Sequence, residues 1–335
     1  MKLLRKLLFP FSLLYLAVTS IRNFLYNTGV FKSQDYTKPI IVVGNLNTGG
    51  TGKSPMIMLL IESLSNLFEI SVLSRGYKRK TKGYIELNTQ HTADEVGDEP
   101  LQFKTNFPKV PMAVCADRRY GISQLIDRSD AVLLDDAYQH RKVKGSFNIL
   151  LTSYGDLFCD DYILPVGNLR ESRSGAKRAD CMVVTKCPIN LADNEKNTIR
   201  RKLQKYNSVP VYFASIAYAD EIRSETNKEP ITSLKDKPFT LVTGIANPKP
   251  LLAYLDKKGF TYNHKAYPDH HPFSDKELEE LRKETFILTT EKDYMRLQGN
   301  LSSVPLYYLP IKTIIQEEQD VFIKAVVRHI QTYDS

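Results

Sequence analysis

The run IVVGNLNTGGTGKSP, residues 41–55, constrains this chain more than any other feature. It reads as a short β-rich strand, a glycine-rich loop, a Lys-Ser pair and a proline at the start of a helix. The unit matches the phosphate-binding pattern G-x-x-x-x-G-K-[ST] at Gly52, Lys53 and Ser54, with Asn47 where the first glycine is usual. The physics survives that change, because backbone N–H groups from Gly49 to Lys53 can still wrap phosphate oxygens at the positive end of a helix. Asn47, Thr48, Gly49, Gly50, Thr51, Gly52, Lys53 and Ser54 therefore form the expected ATP cradle. Lys53 would neutralise the β- and γ-phosphates and the Ser54 hydroxyl would ligate Mg2+. Pro55 falls in the first helical turn, where a missing N–H does no harm.

The text around this loop alternates strand and helix. Apolar β-rich runs occur at 40–43, 70–73, 111–115, 131–134, 147–151 and 181–185, with helix-type stretches at 55–67 and 120–128. Continuous Val/Ile/Leu runs without strict alternation mark strands buried on both faces of a parallel sheet. Right-handed βαβ units then give an α/β, doubly wound, mostly parallel sheet of the P-loop NTPase type. A polar stretch at 220–237 reads as a connection, and a second β-α-β set follows at 239–243, 250–258, 286–289 and 306–309. The expected division is an N-terminal helical segment (1–35), a P-loop core domain (36–225) and a smaller α/β domain (226–335) closing over the active site.

The strand at 131–134 ends in Asp135 and Asp136, a Walker-B-like pair of carboxylates for the metal that a P-loop needs. The P-loop alone leaves motor, switch or kinase open. A net charge of +8, spread along the length, suits anionic partners and cannot choose among phosphates, acidic lipids and nucleic acid. Cys115, Cys159, Cys181 and Cys187 show no zinc-type pairing and read as free thiols.

Residues 7–21 are almost wholly apolar and uncharged, and as a helix reach about 22 Å, short of the roughly 30 Å hydrocarbon core. A signal peptide fits the length but not an ATP-dependent activity, and a spanning helix needs a thinned bilayer. A membrane-associated helix lying in the interface costs least, with Lys2, Arg5, Lys6 and Arg22 reaching for lipid head groups.

Read together, nine motifs resemble one family, the tetraacyldisaccharide 4'-kinases of lipid A synthesis. They are GNLNTGGTGKSP (44–55), LSRGYKR (73–79), GDEP (97–100), ADRRYG (116–121), DDAYQHR (135–141), LPVGNLRE (164–171), TGIANP (243–248), DHHPF (269–273) and TTEKD (289–293). Three positions depart from the family's habit: Ala137-Tyr138 stands for Gly-Phe, and Asn168 for Pro. The first would matter only if residue 137 needs φ > 0.

The resemblance implies ATP- and Mg2+-dependent phosphorylation of the 4'-hydroxyl of a tetraacylated glucosamine disaccharide 1-phosphate, at the cytoplasmic face of the bacterial inner membrane. The expected partners are that lipid A precursor and the membrane surface, without nucleic acid or an obligatory protein. By the same resemblance Asp98 is the candidate base and His270 its partner, one from each domain, so the pair would form only on closure. His271, its neighbour in an extended segment, would point the other way and serve packing or capping. Asp135, Asp136, Gln139 and Glu171 are the expected magnesium shell together with Ser54. Arg75, Arg118 and Arg170 are expected to grip substrate phosphates, with Arg119 in the catalytic set, since a guanidinium presents a fork to phosphate oxygens. Glu291, Lys292 and Asp293 are open between nucleotide contact and hinge closure.

Two rivals remain. A membrane-bound partitioning or targeting ATPase shares the GGTGK loop, but such proteins carry a lysine just before the glycine pair, where this chain has Thr48. A nucleic-acid-dependent ATPase suits the charge, yet no recognition module supports it.

Overall fold

A computed structural model describes residue 5 and residues 7–333. In chain order its elements begin with α1 (Phe9–Asn27), β1 (Ile40–Asn45), α2 (Lys53–Leu64), β2 (Ile70–Ser74), β3 (Ile85–Glu86), α3 (Ala93–Val96), α4 (Asp98–Asn106) and β4 (Met112–Val114). There follow α5 (Arg118–Leu125), β5 (Ala131–Asp135), β6 (Phe147–Ser153), β7 (Cys181–Thr185), α6 (Asp193–Gln204) and β8 (Val211–Tyr218). Next come β9 (Glu221–Arg223), β10 (Lys228–Pro230), β11 (Phe239–Thr243), α7 (Lys249–Lys257), β12 (Tyr262–Ala266) and α8 (Asp275–Leu281). The described chain closes with β13 (Ile287–Thr290), α9 (Glu291–Leu297), β14 (Leu306–Leu309), β15 (Ile311–Ile315) and α10 (Gln319–Gln331).

The first sheet has nine strands in the order β15-β8-β7-β6-β1-β5-β2-β4-β3. All neighbours are parallel except the two edges, β15 on β8 and β3 on β4. Register places Val43 opposite Asp135, so β1 and β5 deliver the P-loop and the acidic pair to the same sheet end. Every residue of β1 is buried: Ile41 and Val43 join one core layer and Ile40 and Val42 the other. Two-sided burial is what the unalternating apolar run requires. Helix α2 starts where Gly52, at φ +81°, turns the loop into the helix, and it buries Met56, Ile57, Leu60, Ile61 and Leu64 against the β1 layer. Each such side chain contributes about 1.5–3 kcal/mol of burial free energy.

The second sheet has six strands, β10-β9-β14-β13-β11-β12, mixed in direction. The stretch at 220–237, expected as a connection, contains the β9–β10 hairpin of the second sheet. At the far end the chain returns, and β15 adds to the edge of the first sheet while Phe322 of α10 packs on Tyr212 of β8. The last segment therefore belongs to the P-loop unit rather than to the smaller one. One apolar layer runs through both units, from Ile57 and Phe103 to Val242, Ile287, Tyr294 and Met295.

Helix α1 is apolar outward and polar inward. Leu13, Leu14, Val18, Ile21 and Phe24 are exposed, whereas Ser12 and Thr19 are buried. Ser12 Oγ donates to Ile163 O at 3.2 Å, and Tyr15 OH donates to Arg170 O at 3.0 Å. Arg5 and Arg22, expected to face lipid head groups, turn inward instead. Arg5 Nε donates to Pro165 O at 3.1 Å, and an Arg22 NH2 group lies 3.5 Å from Gln139 O. Unfilled carbonyls of the 139 and 163–170 segments attract these donors, as buried acceptors need partners. Lys2 and Lys6 lie outside the described residues. Among the described residues no helix is long and apolar enough to cross a membrane.

Candidate active site

The P-loop spans 46–52 between β1 and α2. Asn45 Nδ2 donates to Asn47 O at 2.8 Å, and Asn47 Nδ2 donates to Asp161 Oδ2 at 2.9 Å. The Thr48 N–H donates to Asn168 O at 2.7 Å. Asn47 thus fastens the loop to the 161–170 segment, a role a glycine in its place could not fill. Thr185, at the end of β7, donates its hydroxyl to Thr51 O at 2.7 Å, and Lys186 Nζ donates to Gly50 O. Lys53 Nζ lies 3.4 Å from Asn45 Oδ1 and 3.7 Å from Asp136 Oδ1.

The second wall comes from the GDEP segment. Gly97, at φ +93° and ψ 150°, makes the corner between α3 and α4, a conformation that needs glycine; a Cβ there would meet Tyr77 O at 3.2 Å. The corner sets two adjacent carboxylates on different partners. Glu99 Oε1 accepts from Ser54 Oγ at 2.6 Å and from Lys292 Nζ of α9. Asp98 Oδ2 lies 2.8 Å from His270 Nδ1 and 3.4 Å from an Arg296 NH2 group. Burial works against the Asp98 carboxylate, but the His270 bond and the charges of Lys292 and Arg296 outweigh it and hold its pKa below the ordinary range.

His270 is not in extended backbone. It has φ +55°, its N–H donates to Gly244 O at 3.0 Å, and the Tyr77 ring stands edge-on at 5.8 Å. His271 stacks on Tyr267 and meets Glu277 at 3.0 Å, as a packing residue would. The pair expected only on closure is already made here, because α9 and α4 are joined by more than Lys292. Glu291 accepts from Gln102 Nε2 at 2.7 Å and Asn106 Nδ2 at 2.6 Å, both on α4. Asp293 accepts from the Gly244 N–H at 2.9 Å and pairs with Arg296 at 3.1 Å.

The four residues expected around magnesium divide into two groups. Asp135 is buried beside the P-loop; its Oδ2 accepts from Ser74 Oγ at 2.9 Å, while Oδ1 is buried with no hydrogen-bond partner. Burial, with Glu99 and Asp136 close by, pushes its pKa up to about 7. Asp136, at φ +45°, is held by Arg170 at 2.9 Å and faces Lys53; burial is outweighed by these cations, and its pKa falls below the ordinary value. Ala137 keeps a negative φ, so alanine is unstrained where the family more often has glycine.

Gln139 and Glu171 bond to each other and to their neighbours, and Gln139 Oε1 is buried with no hydrogen-bond partner. Glu171 is fully buried and accepts from Arg178 at 2.8 and 3.0 Å, from Asn23 Nδ2 of α1 at 2.7 Å and from Gln139 Nε2 at 3.1 Å. Gln139 Nε2 also donates to Asn45 O at 2.8 Å. With its oxygens accepting from these donors, Glu171 is a bracket tying α1 to the strand under the P-loop.

The arginines also separate. Arg118 is buried and donates to Cys115 O at 2.5 Å and Asp135 O at 3.4 Å, which turns it from substrate phosphates to the backbone. Burial lowers its pKa to about 10. Arg119 is exposed and pairs with Asp117 of its own helix cap at 3.5 Å. Arg75 is exposed. Arg170 alone of the four pairs with a side-chain carboxylate of the acidic pair.

Comparison with known proteins gives the family. A family model described as tetraacyldisaccharide-1-P 4'-kinase matches residues 4–331. The chain belongs to that family. The tetraacyldisaccharide 4'-kinase of Flavobacterium johnsoniae is 48% identical over 337 residues, covering 99% of this chain and 98% of that one. That of Bacteroides thetaiotaomicron is 40% identical over 357 residues, covering 98% and 94%. A crystal structure of the Aquifex aeolicus enzyme in complex with ATP superposes with a TM-score of 0.79 at 30% identity, covering 97% of this chain and 99% of that one.

Sequence reasoning overlooked several residues of this kinase site. Glu99 stood beside the singled-out Asp98, and the signal was there: two acids after a glycine that opens a helix. Lys186, after the strand Cys181–Thr185, carries no motif of its own. Asn23 and Arg178 become visible only once Glu171 is seen to be buried.

Proposed function

We infer that this kinase moves the γ-phosphate of ATP to the 4'-hydroxyl of a tetraacylated glucosamine disaccharide 1-phosphate, with Asp98 accepting the hydroxyl proton. One observation carries the assignment: consecutive carboxylates bridge the P-loop serine and the histidine, Glu99 on Ser54 and Asp98 on His270. A carboxylate kept ionised, one residue from the group that touches the phosphate-binding helix, is where an acceptor hydroxyl has to be oriented. Phosphoryl transfer passes through a loose transition state, so positioning and charge stabilisation dominate over strong base catalysis. A low Asp98 pKa is compatible with that demand. His270 fixes the carboxylate's orientation, Lys53 faces the phosphates, and Arg170 holds Asp136 beside them.

The donor set fits magnesium. Asp135 Oδ1 is a buried oxygen without a partner, and Ser54 Oγ and Glu99 add further hard oxygens. Among the described residues no three His, Cys, Asp or Glu side chains form a ready cage, which suits a cation that keeps waters and phosphate oxygens in its shell. When bound, the ion would neutralise charge on the nucleotide phosphates. The expected shell is thus narrowed to Ser54 and Asp135, with Glu99 close by.

The exposed apolar face of α1 supports docking in a bilayer interface, and the site of action by family is the cytoplasmic face of the bacterial inner membrane. The deciding test supplies labelled ATP and lipid A disaccharide 1-phosphate and scores the lipid by mass. A gain of one phosphate that Lys53→Ala abolishes is expected. ATP hydrolysis indifferent to the acceptor, or ATP-driven dimerisation, would favour the switch reading instead.

A further inference from the structure

A cavity of about 710 Å³ lies between the end of α1 and the 137–145 segment. Four of its lining residues are lysines or arginines and none is a carboxylate. Arg141 is the central one. Its guanidinium stands 5.3 Å from the Tyr26 ring centre and donates to Asn27 Oδ1 at 2.9 Å, while NH1 is buried with no partner. His140 Nε2, also buried, has no partner either. Lys32 is exposed and forms no ion pair among the described residues. Lys144 meets Asp35 at 2.9 Å, both well exposed, and Arg178 is held by Glu171. The end of α1 does not offer bare carbonyls to the cavity, since Phe24 O, Tyr26 O and Leu25 O accept from Thr28, Gly29 and Phe31 N–H groups.

Position gives the cavity its meaning. Val42, Ala137, Tyr138 and Val143 line it and belong to the core layer opposite Leu101 and Phe103 of α4, so it lies across the sheet from Asp98. Its rim includes Phe31 and adjoins Val30 in the chain, both of them exposed. A buried, unpaired guanidinium donor on Arg141 beside the unpaired charge of Lys32 calls for an anion. The exposed Phe31 ring and Val30 at the mouth call for that anion to arrive on an apolar tail.

We propose that this cavity binds the phosphate head group of a bulk anionic membrane lipid, holding the end of α1 at the bilayer surface separately from the acceptor site. The proposal rests on the reading that the outer face of α1 docks in the interface, and adds a head-group site to it. Arg141 and Lys32 supply the charge, and Tyr26 and Phe31 flank the glycerol region.

The test uses the full-length chain and soluble dihexanoyl phosphatidylglycerol, followed by isothermal titration, with dihexanoyl phosphatidylcholine as the zwitterionic counterpart. Saturable binding of the first and none of the second is expected. Lys32→Glu and Arg141→Gln should each remove it, while Lys38→Glu, a charge reversal outside the cavity, should not. On vesicles containing 30% phosphatidylglycerol, Arg141→Gln should lower partition by about fivefold, the effect of one cation at an anionic surface, and Lys32→Glu, a two-charge change, by about 25-fold, and both should leave phosphatidylcholine vesicles unaffected. An equal loss in Lys38→Glu, or no saturable binding, overturns the proposal in favour of diffuse attraction. Competition by the disaccharide acceptor overturns it too, by making the cavity part of the acceptor site. The anchoring reading fails separately if Ile21→Ser/Phe24→Ser leaves binding to phosphatidylcholine vesicles unchanged. The soluble titration stands independently of that result.

Discussion

Replacing Glu171 by glutamine tests the bracket that joins α1 to the nucleotide strand. The carboxylate is fully buried and accepts from Arg178, Asn23 and Gln139. Breaking a buried ion pair by removing one partner costs about 3–5 kcal/mol, because the other charge is left uncompensated. Here the lower end applies. Arg178 keeps a side-chain exposure of 20%, lies 4.6 Å from the Tyr138 ring centre and also donates to Tyr138 O. A loss of about 3 kcal/mol lowers Tm by roughly 4 °C in a chain of this size. Circular dichroism melts of Glu171→Gln, Arg178→Met and the double variant, without nucleotide, measure it. The double variant should recover part of the loss, since neither charge is then stranded. A single-variant shift below about 2 °C, or a double variant equal to the sum of the singles, would refute the view that this pair is coupled.

Asp98→Asn should lower kcat by about 10²–10⁴ while leaving the ATP dissociation constant near its original value, and His270→Ala added to it should cost little more; single-turnover assays with titrated ATP decide, and a pure KM effect removes Asp98 from the role of base. The raised pKa of Asp135, about 7 against 3.8 unperturbed, means the folded chain holds a proton that the unfolded chain sheds. Its stabilising contribution is complete below the lower value and lost as pH rises through the upper one. A cation must displace that proton, so magnesium-nucleotide affinity should climb between roughly pH 6 and 8; equilibrium dialysis on Asp135→Asn should show a flatter profile, and an identical one refutes the assignment. In Gly44→Ala the new Cβ would stand 2.6 Å from Tyr138 Cβ and 3.1 Å from its backbone N. That overpacking should cost about 1–3 kcal/mol, and an unchanged melting temperature would contradict the close approach.

The strands around the P-loop were legible because two-sided burial writes itself as unbroken Val/Ile/Leu runs. Strand β12, YNHKA, was not, since its residues are half-buried or exposed and polar. The hairpin of β9 and β10 hid for the same reason, its short polar strands lying at a sheet edge. At the site, backbone-encoded parts read well: the glycine corners, the Lys-Ser pair and the acids ending β5. Roles set by distant packing did not. Nothing local says that Arg118 turns to Cys115 O, or that Glu171 spends its oxygens on Asn23 and Arg178. The inward polar seam of α1 was masked because its apolar residues outnumber Ser12, Tyr15, Thr19, Arg22 and Asn23, and a count of hydrophobicity does not say which face meets the protein.

The homecoming of β15 has a consequence for how this chain leaves the ribosome. All six strands of the second sheet are synthesised before the ninth strand of the first exists. Until then β8 offers a bare row of N–H and C=O groups, ready to pair with a stranger. A nascent kinase is therefore adhesive over its longest strand until almost its last helix has emerged. A stop codon just before Ile311 would make that condition permanent, with inclusion bodies as the visible result.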